Sequence, residues 1–330
     1  VNWLTLVTEY IGMTAALSLF GVPSSITVIL VTAILFGVVF SGKYWTFEKL
    51  TLVFCLFNLV YVPAAFWVME MPTAPSWTRV FEGFLMPHTI GGYNVELLFV
   101  VLANIGTTIA PWQLFFQQSA VVDKGLDVKD IRYGKGDTLV GASLTCVVAV
   151  FIIITTGAAF YYHKPPIVIE DARQTAEALR PLLPAGEGAL ARRLFAIGLF
   201  DAGFLGALCV SLSTSWAFGE VFGWAHSLNK SVREAPWFYL LYVGMLLSAG
   251  AVVLIPNAPL VTITMFVQVV AVTLLPSLLV FLLLMLNDRD TMGEHVNTRW
   301  QNLTNGSIVL VVIVMSTLLG VQTLYPGLFR

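Results

Sequence analysis

Asn104-Ile105-Gly106-Thr107-Thr108-Ile109-Ala110-Pro111-Trp112-Gln113 lies in the middle of an apolar run over residues 93–122. A run of that length crosses a bilayer as helix, which takes about 20 residues. Pro111 has no amide to donate and its ring clashes with the preceding turn, so a break or kink is expected here. Carbonyls freed at membrane depth persist only where they face protein or a hydrated cavity, and transporters use such gaps as ion sites. Two readings stand side by side. In one, the carbonyls of Thr107 or Thr108 and the side chain of Gln113 offer oxygen ligands to a cation. In the other, this is a proline kink whose hydroxyls bond back to the helix. The polar side chains continuing past the break, Gln113, Gln117, Gln118 and Ser119, favour a site, because such a run is wasteful against lipid.

The rest of the chain is built for the same solvent. Of 330 residues, 58% are hydrophobic and 11% charged, against roughly 45–50% and about 25% in soluble domains. Mean hydropathy is +0.85. The runs are continuous rather than alternating, so the spans are helices and not barrel strands. A net charge of -2 carries no basic stripe, which excludes a nucleic-acid partner. Cys55, Cys146 and Cys209 are widely spaced, without a C-x-x-C, and read as small buried hydrophobes rather than a disulfide framework. The chain opens on Val1 with no leader and enters a hydrophobic helix at once, so it is expected to be an N-terminally truncated fragment.

Apolar runs between charged or Pro/Gly-rich breaks predict about nine spans, at residues 3–20, 25–40, 47–69, 93–122, 138–162, 194–228, 237–255, 260–286 and 308–324. A tight turn at Gly21-Val22-Pro23 joins the first two. Lys43, Lys49, Lys124, Lys129, Arg132, Lys135, Lys230, Arg233, Arg289 and Arg299 fall in one set of alternate loops, which is therefore expected to be cytoplasmic together with the start of the chain. Residues 1–330 form one transmembrane transport domain on this reading. Residues 163–193 form an extracellular loop, with an amphipathic surface helix expected over 170–183.

Four further polar residues interrupt the apolar spans. Gln268 stands alone between Met265 and Leu275, as a ligand or as one partner of an interhelical hydrogen bond. Asp201, well inside the sixth span, is a pathway candidate that attracts cations, or else pairs with Arg192 or Arg193 or caps a break at Gly203. Glu9 is a second pathway candidate, with a structural hydrogen bond as its alternative. Glu220 is an exit-path residue or a snorkelling carboxylate. The four His are scattered without ligand partners at metal spacing, so neither an enzyme centre nor a resident cofactor is expected.

These residues resemble a known family. Gly106 to Gly125 is similar to the sixth transmembrane helix of the Nramp (natural resistance-associated macrophage protein) divalent-metal transporters, whose pattern A-x-x-M-P-H-N-L-Y-L-H-S sets Thr107, Ala110, Pro111, Trp112 and Gln113 on its A, M, P, H and N. Thr8-Glu9-Tyr10-Ile11-Gly12 followed by Leu17-Ser18-Leu19-Phe20-Gly21-Val22-Pro23 resembles the third helix. Gln268 and Pro276 match the spacing of the tenth. Met86-Pro87-His88 spells the family's M-P-H, but sits in a Pro/Gly-rich segment without the continuation and reads as a loop turn.

The resemblance implies a LeuT-type inverted-repeat fold, with the first two helices missing and, with them, the D-P-G-N metal motif. It further implies a backbone carbonyl of Thr107 with Gln113 and Gln268 as metal ligands, and Ala110, Pro111 and Trp112 shaping the cavity. Ala110 replaces the family's soft Met ligand, which resembles the Nramp-related magnesium branch and favours a hydrated Mg²⁺, with Mn²⁺ tolerated. Trp112 replaces a titratable His, and Leu6 stands where family members carry an acid, so uncoupled passage is expected. The rival is a proton-coupled Mn²⁺/Fe²⁺ importer. The expected setting is a bacterial inner membrane, with the bilayer and a divalent ion as partners.

Overall fold

The computed structural model describes residues 1–40, 44–71, 74–85, 101, 104, 108, 110–158, 187–256 and 258–324. The regular structure among these residues is helical, with no strand. The helices are α1 (Asn2–Ser18), α2 (Ser24–Phe40), α3 (Tyr44–Phe57), α4 (Tyr61–Met69), α5 (Trp77–Leu85), α6 (Pro111–Lys124), α7 (Ile131–Thr156), α8 (Glu187–Phe222), α9 (Pro236–Val253), α10 (Leu260–Met285) and α11 (Arg299–Leu324).

Among the described residues, 6 helices are long and apolar enough to cross a membrane. Nine were expected. α1 and α2 have 17 residues each, or about 26 Å of helix, slightly less than a hydrocarbon core of about 30 Å. Residues 93–100, which open the fourth expected span, the surface helix at 170–183 and Met86-Pro87-His88 lie outside the described residues. Several helices start earlier than the apolar pattern suggests. α7 takes in Arg132, Lys135 and Asp137, and α11 opens on Arg299, because long charged side chains extend a helix into the interface while keeping their heads in water. α5 is a helix where a loop was expected. Trp77 and Phe81 share one of its faces, and the Trp77 ring packs at a tilt against Phe66 of α4, centroids 5.1 Å apart.

The chain forms two compact units. One holds residues 2–87 and 116–261; the other holds 88–115 and 262–330 with Val1. In the first, α1 lies along α8 and burials at Leu6, Val7, Tyr10, Met13 and Thr14 mark the contact stripe at helical spacing. Lipid offers helices no hydrophobic drive to associate, so small residues and polar ties hold them. Gly203 on α8 admits the α1 backbone, Gly206 lies under the Glu9 side chain, and Gly250 on α9 admits Val28 of α2. Tyr10 and Thr32 share a hydrogen bond of 2.6 Å between α1 and α2. Tyr242 of α9 donates to the Leu35 carbonyl at 3.1 Å, and Trp3 Nε1 donates to Ser248 Oγ at 2.9 Å.

The outward faces are apolar, as in Ile29 at 69% exposed. Cys55 and Cys146 lie on such faces, contrary to their expected burial; Cys209 is half-buried, and all three thiols are free. The turn at Gly21 is a Schellman cap. Gly21 has φ 80°, its amide reaches the Ser18 carbonyl at 2.9 Å, and the Val22 amide reaches that of Leu17 at 3.2 Å. Gly125 closes α6 in the same way.

Candidate functional site

The break falls at Ala110, which is non-helical, and α6 starts afresh at Pro111. Proline at the first helical position costs nothing, since that amide has no intrahelical partner. Gln113, three residues after Ala110, reaches back so that its Oε1 accepts the Ala110 N–H at 3.1 Å. That is the returning half of a capping box. Gln113 thus has a structural task at the break, while a carbonyl oxygen keeps a second lone pair for another partner. Thr108 Oγ1 donates to the Asn104 carbonyl at 2.7 Å, as the back-bonded kink reading expects of a hydroxyl. Thr107 lies outside the described residues. Ala110 is buried, Pro111 and Trp112 are half-buried, and Gln268 is half-buried on α10, a helix that carries Pro276 inside it. All of these belong to one compact unit; Glu9 and Asp201 belong to the other. No group of three His, Cys, Asp or Glu suited to a metal occurs among the described residues.

Asp201 is 2% exposed. Neither Arg192 nor Arg193 pairs with it, and α8 runs unbroken through Gly203. Its partner is Asn58, whose Nδ2 donates to Oδ2 at 2.6 Å, while Oδ1 is buried with no hydrogen bond. Asn58 was not singled out from sequence. It begins a 3-10 turn, Asn58–Val60, between α3 and α4, where the Tyr61 amide closes on the Asn58 carbonyl and Pro63 withholds the next amide but one. A polar residue followed by proline five positions on, inside an apolar run, was the available signal. Asn58→Leu strands a sealed carboxylate and is expected to cost about 1–3 kcal/mol or more. Thermal denaturation in detergent measures this. The double change Asn58→Leu with Asp201→Leu should return close to wild-type stability, and a double variant as unstable as the single one contradicts the pairing.

Glu220 also finds partners. Ser119 Oγ donates to its Oε1 at 2.9 Å and Gln118 Nε2 to its Oε2 at 3.4 Å, tying the far half of α6 to α8. Below that tie, Asp123 Oδ2 accepts from Trp216 Nε1 at 3.2 Å and from the Leu228 amide at 2.8 Å. Lys124 pairs with Glu48 of α3 at 2.6 Å. Of the polar run past the break, Gln118 and Ser119 thus fasten α6 to α8, and Gln113 caps the break.

Comparison with known proteins places this geometry in context. The family model described as natural resistance-associated macrophage protein-like, Nramp, matches residues 1–322. The divalent metal cation transporter MntH of Staphylococcus saprophyticus is 25% identical over 336 residues, covering 96% of this chain and 72% of that protein. MntH of Staphylococcus aureus strain Newman is 24% identical over 334 residues, covering 96% and 71%. Among solved structures, an Eremococcus coleocola manganese transporter bound to an aromatic bis-isothiourea substituted compound superposes with a TM-score of 0.72 at 20% identity, covering 97% of this chain and 69% of that one. A point mutant of the same transporter gives 0.65 at 18%, covering 98% and 69%. At these identities the structures show the fold alone, which is that of the Nramp transporters. The sequence relatives are named as divalent metal cation transporters, and the titles of the two structures name manganese; magnesium appears in none of them. With a family model matched along nearly its whole length, this integral membrane chain belongs to the Nramp family, whose members are transporters and not enzymes.

Proposed function

We propose that this chain carries a divalent metal cation across a membrane by alternating access around the break at Ala110, with manganese, the ion named for the structurally similar transporters, as the cargo. The observation that carries the reading is a membrane helix interrupted at Ala110–Pro111 in a chain of the Nramp family. The Thr107 carbonyl, Gln113 and Gln268 are the proposed oxygen ligands. Gln113 holds the Ala110 amide with one lone pair and offers the ion the other. The nine-span LeuT-type arrangement, with residues 1–330 as one transport domain, is part of the same proposal.

A second reading rests on one residue. Ala110 brings no sulfur to the site, and an all-oxygen, roomier cavity suits Mg²⁺, which keeps several of its waters. Leu6, fully buried, and Trp112 remove two titratable groups, which favours passage without protons.

One experiment separates the two: uptake of Mn²⁺ and of Mg²⁺ into proteoliposomes with a pH dye inside. Saturable Mn²⁺ entry with matching acidification supports the proton-coupled manganese importer; Mg²⁺ entry at constant internal pH supports the second reading. Entry of neither ion sinks both. Ala110→Met restores a thioether and is expected to move the Mn²⁺ over Mg²⁺ preference by about tenfold, equivalent to ~1.4 kcal/mol. An unchanged ratio shows that this position does not select.

A further inference from the structure

Glu9 is the one charged residue of α1 and lies near its middle. It is half-buried rather than sealed, and among the described residues its carboxylate accepts no hydrogen bond and has no ion-pair partner. It rests directly on α8 at Gly206. A Cβ built on Gly206 would stand 2.5 Å from Oε1 and 2.7 Å from Oε2 of Glu9, separations that real side chains do not show. The two oxygens thus straddle the Cα–H that points where a side chain would begin, a weak donor at best. The glycine is not required by its backbone, since α8 is regular helix here. Nor is it needed for α1 to approach, because the tightest backbone contact is made one turn earlier, where a Cβ on Gly203 would meet the Glu9 carbonyl at 2.9 Å.

We propose that Gly206 is a positioning residue for transport: its missing side chain forms the notch that keeps the Glu9 carboxylate in the α1–α8 seam, unpaired and reachable by a passing cation. The contrast with Asp201 supports this. Asp201 is sealed and holds an amide, whereas Glu9 is half-buried and, among the described residues, has no hydrogen-bond or ion-pair partner. A long flexible acid on a helix normally finds a donor or swings to water. Gly206 lets this one remain where it is. The inference rests on the transport reading for its functional half only.

The test uses the full chain in proteoliposomes with Mn²⁺ and Mg²⁺ as probe ions, alongside thermal stability in detergent. Gly206→Ala is expected to lower initial uptake by about tenfold, the effect of ~1.4 kcal/mol of misplacement. Shortening the acid should make room again, so Gly206→Ala with Glu9→Asp should transport as well as Glu9→Asp alone. On a Glu9→Gln background, which keeps the bulk and removes the charge, Gly206→Ala should cause no further loss of uptake. A tenfold loss that persists on that background, or no recovery with Glu9→Asp, overturns the proposal and leaves Gly206 as simple packing. The stability arm reads the notch without transport: the crowded atoms end a flexible side chain that can shift, so the fall in melting temperature from Gly206→Ala should be small, and Glu9→Ala should restore it. Failure of that restoration overturns the placement. If the wild-type chain carries neither ion, the transport reading fails and the functional half of this proposal with it, whatever the melting data show.

Discussion

Gly203→Ala is expected to destabilise the protein by about 2–3 kcal/mol, within the range for overpacking a well-filled core. The added Cβ would lie 2.9 Å from the Glu9 carbonyl and 2.9 Å from Met13 Cγ. A carbonyl in a helix cannot give way alone, because it is part of the α1 hydrogen-bond ladder. Met13 has no room to retreat, being fully buried. α1 must therefore move as a body away from α8, opening the main seam of its unit. Gly37→Ala in α2 is the control, since nothing lies within 4 Å of its added Cβ, and gaining helix propensity should make it neutral or stabilising by up to about 1 kcal/mol. Melting temperatures in detergent compare the two. Equal behaviour would mean that α1 and α8 are not closely packed at Gly203.

Asp123→Ala should have an effect of similar or larger size. Asp123 Oδ2 accepts from Trp216 Nε1 and from the Leu228 amide, and Trp216 and Leu228 are each 1% exposed. Losing the acceptor strands two buried donors at about 1–3 kcal/mol apiece. Water is ill placed to replace it, because Trp216 is walled by Phe116 at 5.6 Å and Phe238 at 6.2 Å. The Asp123 carbonyl also accepts from Asn229 Nδ2 at 2.9 Å, and Asn229 Oδ1 accepts the Tyr44 amide at 3.2 Å, so the junction joins α3, α6, α8 and the segment before α9. Asp123→Asn keeps an acceptor oxygen and should recover most of the loss. If Asn proves as damaging as Ala, the negative charge, and not the acceptor geometry, holds the junction.

Ala110 and Asp123 stand at or near opposite ends of one helix, α6. α6 begins at a break and ends in a fastening. Its first turn, with Ala110, Pro111 and Gln113, belongs to the unit of residues 88–115 and 262–330, whereas residues from Phe116 onward belong to the other. The ties of Ser119, Asp123 and Lys124 therefore anchor only the distal half, and the proposed metal ligands lie at the end they do not reach.

The all-helical membrane class, the turn at Gly21 and the break at Pro111 follow from local rules, and for these the sequence was enough, whereas the starts of α7 and α11 were not read from it. Apolar run length answers to bilayer thickness, a glycine with positive φ answers to backbone sterics, and a proline interrupts a helix by what it lacks. The motifs around Glu9, Ala110–Gln113 and Gln268 were sufficient to point to the family. What local rules do not carry is which polar group meets which. Asp201 was equally open to Arg192, Arg193 or a local cap, and packing chose Asn58, 143 positions away in sequence. Gln113 looked like a bare ligand until the start of α6 showed it holding the Ala110 amide. Gly206 is one of 26 glycines, with nothing in its surroundings along the chain to set it apart. Its meaning comes from the carboxylate that a second helix lays across it. Hydrogen bonds and close approaches between distant segments depend on how helices are brought side by side, and that was decided by tertiary packing alone.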